Sequence, residues 1–178
     1  MGSPEETNED RIRRYFNAME FGTVEDAVAF WAADASNQAS GRAEPGRGRQ
    51  SIAAVFRMLR EAFPDRHYQI DDLIAKADQV VCRLTVSGTF GATPPRPSFP
   101  VPATFVGVEA SELIPASAAG TTYSVKHIHI FRLKDGLITD HWAARDDLGL
   151  LLQLGGIEIP QPTDTVTGAP RGAARSSP

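Results

Sequence analysis

The stretch TTYSVKHIHIFRLK-DG-LITDHWAA, residues 121–144, decides the fold. Two β-branched, alternating runs flank Asp135-Gly136, and Asp-Gly between such runs is among the strongest short-range hairpin signals. On one strand His127, His129 and Phe131 must share a face. On the other Asp140, Trp142 and Ala144 must share one. The turn decides which faces coincide. A two-residue loop sets His129 opposite Trp142, whereas a three-residue loop with a bulge at Gly136 sets it opposite His141. One residue of slip exchanges the partners, and both registers stay open.

Reading back from this hairpin, residues 79–90 (QVVCRLTVSGTF) also alternate. Arg83, Thr85 and Ser87 share one face; Cys82, Leu84 and Val86 share the other. Residues 66–74 read as a further strand, with a turn at Lys76-Ala77-Asp78. The first third of the chain changes period. Ile12, Tyr15, Phe16 and Met19 fall at helical spacing over Asn8–Phe21, and Gly22 ends that helix. Thr23 opens TVED, a capping box with Asp for Glu, and a short helix follows over Val24–Trp31. A short strand is read at Ala35–Ala39. Ile52, Val55, Phe56, Leu59 and Phe63 form the apolar stripe of a third helix, which Pro64 terminates. DDLGLLLQLG, residues 146–155, reads as a short closing helix. Helices first and then four or more mostly antiparallel strands make an α+β fold, a curved sheet with helices on one face.

The chain has 178 residues, enough for one domain. Residues 1–8 read as a flexible start, 9–159 as the domain and 160–178 as a disordered tail. Fifteen Gly and thirteen Pro are unevenly placed. They crowd into 91–120 and into the tail. Residues 91–120 read as a long loop with at most a strand around Thr104–Glu109, and loops of that kind are often lids over a site. A formal net charge of −4 gives no footprint for nucleic acid. A single cysteine, Cys82, excludes a disulfide framework. No apolar run is long enough to span a membrane, and the acidic, polar start MGSPEETNEDRIRR has no secretory apolar segment. A soluble cytoplasmic protein is the expectation.

Polar chemistry concentrates late in the chain. His127, His129 and His141 lie in the hairpin beside Asp140, Asp146 and Asp147. As a metal site, His127-x-His129 with His141 and an Asp would suit zinc or iron, but alternation alone produces such a pair. Asp146 and Asp147 stand where a strand becomes an apolar helix. Desolvation there would raise a carboxylate toward the range of a general acid or base; the competing role is a helix N-cap. Arg83 on a central strand needs a partner, expected among Asp140, Asp146 and Asp147.

Three segments together resemble the SnoaL-like polyketide cyclases, a branch of the nuclear-transport-factor-2-like superfamily. They are AFPDRHYQIDDLIAKADQVVCRLTVSGTF (62–90), HIFRLKDGLITDHWAARDDLGLLLQLG (129–155) and the early helix pair. The resemblance implies a cone formed by a bent sheet and three N-terminal helices, closed by a short C-terminal helix, with a pocket in its mouth. It implies intramolecular aldol ring closure of a hydrophobic polyketide-like substrate, without metal or organic cofactor. The family's acid–base Asp, five residues after the His of the HW motif, falls on Asp146. On this reading Asp146 takes a proton alpha to a carbonyl, and His129 or Arg83 bonds the enolate. Trp142, Phe131, His127, Phe90, Tyr15 and Trp31 then shape the substrate pocket. Homodimerisation through the outer sheet face, with Ile128 and Ile130, is implied too. Two features depart from the family: Gly88-Thr89-Phe90 replaces a G-T-H pattern, and the segment at 91–120 is longer. Hydration, epoxide opening, or plain binding of a hydrophobic ligand or partner protein are the alternative functions.

Overall fold

The computed structural model describes residues 7–38, 46–91 and 114–157. The strand expected at Thr104–Glu109, most of the loop at 91–120 and the tail from 160 lie outside the described residues. Helix α1 spans Asn8–Phe21, where its periodicity places it. Thr7 and Asp10 close a capping box over its first turn, and Ile12, Tyr15 and Phe16 are buried. The TVED motif does the same for α2, Val24–Val28: Asp26 N donates to Thr23 Oγ1 at 3.0 Å and Thr23 N to Asp26 Oδ2 at 2.8 Å. This helix ends before Trp31, short of its expected reach. Trp31 instead begins β1, Trp31–Asn37, paired in parallel with the last strand through Ile138.

After the two-residue β2, Gly46–Arg47, helix α3 runs Gly48–Ala62. Its stripe divides: Ile52 and Phe56 enter the core, while Val55 and Leu59 are only partly covered. Strands β3 (His67–Lys76), β4 (Gln79–Thr89), β5 (Thr122–Lys134) and β6 (Leu137–Arg145) complete the sheet, and α4 spans Asp147–Gln153. The order is β2-β1-β6-β5-β4-β3, antiparallel except for β1 with β6. Among the described residues, four α-helices and a curved six-stranded open sheet make up this α+β fold.

One sheet face is buried. Tyr123, Val125, His127, His129, Phe131 and Leu133 of β5 point inward, as do Val80, Cys82, Leu84 and Val86 of β4. Alternation therefore puts Arg83 and Ile128 on the outer face. The AFPD motif ties α3 to the end of β4. Pro64 stops the helix, and Asp65 then accepts from Thr89 N at 2.6 Å and from Thr89 Oγ1 at 2.7 Å. The neighbouring Phe90 is buried against Phe63, with ring centroids 5.7 Å apart.

The register of the β5–β6 hairpin is neither of the two expected. Asp135 and Gly136, with φ of 51° and 72°, form a two-residue turn, and Lys134 opposes Leu137. The register then shifts between Leu133–Ile138 and Arg132–Asp140. Thr139 is the extra residue, a β-bulge. Beyond it Phe131 opposes His141, Ile130 opposes Trp142 and His129 opposes Ala143. The bulge turns His141 to the same face as His127 and His129.

Candidate active site

The inner face carries a chain of three buried imidazoles. His127 Nδ1 lies 3.3 Å from His129 Nε2, and His129 Nδ1 lies 2.7 Å from His141 Nε2. His141 Nδ1 lies 3.1 Å from the side-chain oxygen of Asn37, buried on β1. The rings of His129 and His141 stack at 5.0 Å, and Phe131 stacks on His141 at 4.5 Å. All three histidines are held below their ordinary pKa, chiefly by burial. His127 and His141 are pushed down to about 3, with Arg145 adding to both and Arg66 to His127. His129 is held well below its ordinary value, by burial and then by its two imidazole neighbours.

Neutral imidazoles carry one N–H each. With the Asn37 oxygen facing His141, His141 must donate from Nδ1. Its Nε2 then accepts from His129 Nδ1–H, and His129 Nε2 accepts from His127 Nδ1–H. The chain is thus polarised in one direction. It ends on the lone pair of His127 Nε2.

This chain borders a cavity of about 50 Å³, lined by Tyr15, Phe16, Met19, Asn37, Val55, Phe56, Leu59, Arg66, Tyr68, the three histidines and Arg145. Its walls are aromatic and aliphatic, and among the described residues its only formal charges are two guanidinium groups. Arg145 pairs with Asp147, Nη2 to Oδ2 at 2.9 Å. Burial raises the Asp147 carboxyl above its ordinary range, against the pull of Arg145.

The expected site residues separate. Tyr15, His127 and His129 line the cavity. Trp31, Phe90 and Phe131 sit in the core behind it. Trp142 points to the outer face, with the Arg132 guanidinium 5.4 Å above its ring. Asp146 is exposed and N-caps α4, accepting from Gly149 N at 2.8 Å. Arg83 is half-exposed on the outer face. Its partners are Asp72, at 2.6 and 2.9 Å, and Asp71, at 3.1 Å, not the late acids expected. It stands directly opposite Asp72 on β3, so the antiparallel pair supplies its carboxylates. The sequence reading missed Asn37, Arg66, Tyr68 and Arg145. Arg145 was within reach, because it follows His141 at i+4 on one strand and shares its face. The three histidine rings point at one another rather than toward a common centre. Among the described residues no group of three or more His, Cys, Asp or Glu has the arrangement to hold a metal ion.

The family model of the SnoaL-like polyketide cyclases matches residues 9–154. The chain belongs to that family. No curated protein matches it. Among solved structures it is similar to IdmH of Streptomyces antibioticus, a proposed polyketide cyclase. Identity there is 26%, over 82% of this chain and 96% of that one, with a TM-score of 0.60. TsrD of Streptomyces laurentii is 25% identical over 85% and 100% of the two chains, TM-score 0.63. A proposed SnoaL-like polyketide cyclase from Jannaschia sp. CCS1 is 18% identical over 89% and 99%, TM-score 0.65, a likeness of fold. Family and neighbours support a cyclase-type role on the scaffold that carries the imidazole chain. No helix among the described residues is long and apolar enough to cross a membrane.

Proposed function

We propose that this protein is a cofactor-independent cyclase that closes a ring in a polyketide-like intermediate by intramolecular aldol chemistry, with the imidazole chain handling the proton. The observation that carries this reading is the line of contacts His127–His129–His141–Asn37 along a cavity with two guanidinium groups. A substrate carbonyl beside Arg66 or Arg145 is polarised, and the enolate that forms there is stabilised by fixed positive charge. The proton removed from the alpha carbon goes to His127 Nε2. A base held near pKa 3 is weak on its own. Negative charge arriving beside the guanidiniums offsets their share of that depression and strengthens the base as it is needed. His127 then returns the proton to the new alkoxide, and the narrow apolar wall holds the reacting carbons together.

Asp146, the acid–base group that the family resemblance implies, is the second reading, favoured by its place five residues after His141. It requires the carboxylate to leave Gly149 N–H. Turnover separates the two. On an aryl 1,5-diketone closing to a cyclohexenone, His127→Gln should lower kcat by about 10²-fold or more, the ordinary share of a general base. Asp146→Asn, which preserves the cap, should stay within about twofold of wild type. The reverse pattern gives the role to Asp146. Wild-type protein that binds such compounds without closing any of them leaves a ligand-binding module, and hydration or epoxide opening would appear as a different product.

A further inference from the structure

We infer that the cavity recognises a free carboxylate on its ligand, and that Arg66 is the counter-ion. The inference rests on the cavity being the substrate site of the proposed cyclase and adds the substrate's charge. Arg66 follows Pro64-Asp65 at the end of α3, and its guanidinium lies over the rings of Phe63 and Tyr68, at 5.6 and 5.1 Å. Both rings lie within cation–π reach of the guanidinium. Its Nε is buried and has no hydrogen-bond partner among the described residues. Arg57, Arg83, Arg132 and Arg145 each meet a carboxylate. Arg66, also on the cavity wall, meets none among the described residues.

The charges lining the cavity follow from its residues. Its imidazoles are neutral, Arg145 is answered by Asp147, and among the described residues no Asp or Glu belongs to the wall. One positive charge is left over, and it carries an unused, buried donor. Guanidinium and carboxylate match in shape and charge. A cavity of about 50 Å³ takes roughly three to five water-sized groups, so it admits the end of a ligand rather than its whole body. A carboxylate with its first carbons is of that size. The apolar remainder would lie toward Val55, Leu59 and Met19 on the helical side.

The test uses the purified protein with 3-hydroxy-2-naphthoate and its methyl ester, which differ in charge and one methyl group, at pH 7.5 by calorimetry. The acid should bind at least tenfold more tightly than the ester. Arg66→Met, which keeps the stem between the rings, should bring that ratio close to one, and Arg66→Lys should retain part of it. Equal affinities in the wild type overturn the inference. So does an unchanged preference in Arg66→Met, which would move the anion to Arg145. If Arg66→Met does not fold, the wild-type ratio and Arg66→Lys decide. Preference for the acid without ring closure of any diketone would keep the carboxylate site and remove the cyclase. Ring closure with acid and ester bound alike would do the opposite.

Discussion

Acidification should unfold this protein well above the pH at which its carboxylates titrate. In the unfolded chain a histidine has a pKa near 6.5. In the fold His127 and His141 are held at about 3, and His129 is held well below its ordinary value. Between these limits the unfolded chain binds three protons that the folded chain refuses, so stability must rise with pH and fall as pH drops below about 6.5. At pH 5 each neutral buried imidazole costs about 2 kcal/mol relative to pH 7.5, and the three together about 6 kcal/mol. That is comparable to the whole stability of an ordinary domain, about 5–15 kcal/mol. The groups facing the chain do not reverse the sign. Arg66 and Arg145 oppose a proton there, and Tyr15 and Tyr68 are raised still further from this range. The raised Asp147 carboxyl works the other way, for one proton against three. Asp10, Asp26, Asp65 and Asp71 are all lowered, so what they contribute is lost only as pH falls below the ordinary carboxylate value near 3.9. The window from pH 6.5 to 5 therefore reports the histidines. Urea unfolding followed by circular dichroism at pH 7.5, 6.5, 5.5 and 5 measures it, and His141→Gln should reduce the loss by about a third. A loss under about 2 kcal/mol between pH 7.5 and 5 would mean that the three imidazoles are not held neutral in the fold.

Gly149→Ala sets two effects of similar size against each other. A Cβ there would stand 2.2 Å from Asp146 Oδ2, so the carboxylate must swing off the cap, at about 1 kcal/mol. Alanine regains about 1 kcal/mol of helix propensity. Thermal melting should show almost no change, whereas a clear rise would mean that Asp146 is not seated over Gly149. On the outer face Ile128 is 47% exposed, next to Ile130 and opposite Ala144. A second copy pairing through this face should appear as a dimer in light scattering at micromolar concentration, and Ile128→Lys should split it; a wild-type monomer removes the proposal.

The elements were legible where one local rule acts alone. Thr23 with its capping aspartate, the stripe from Ile52 to Phe63, Pro64 and Asp135-Gly136 each announce a feature that the fold keeps. The alternation Cys82/Leu84/Val86 against Arg83/Thr85/Ser87 gave the two faces of β4 but not which face was wet. The partners of Arg83 were therefore sought on the late acids, although Asp71-Asp72 on the adjoining strand offered closer ones. Asn37 left no signal, because its role depends on β1 lying parallel to β6, a contact across about a hundred residues. Arg66 was hidden for a similar reason. A helix end and the start of a strand carry it to a cavity that it shares with Arg145 of β6.

Thr139 shows why the site itself stayed open. Bulges need no glycine or proline, and nothing in LITDHWAA marks one. Yet this single residue decides which polar group enters the interior. Ile138 is buried, so strict alternation would send Asp140 inward and His141 out. A carboxylate would then stand beside His129, a charge that is costly to bury. With the bulge, Asp140 faces outward, where Thr139 Oγ1 donates to it at 2.9 Å and Arg132 lies 3.7 Å away. His141 enters instead, a group that is neutral at little cost and can pass a hydrogen bond from His129 to Asn37. The imidazole chain, and with it the proposed base, therefore depends on a register shift that no side chain in the chain announces.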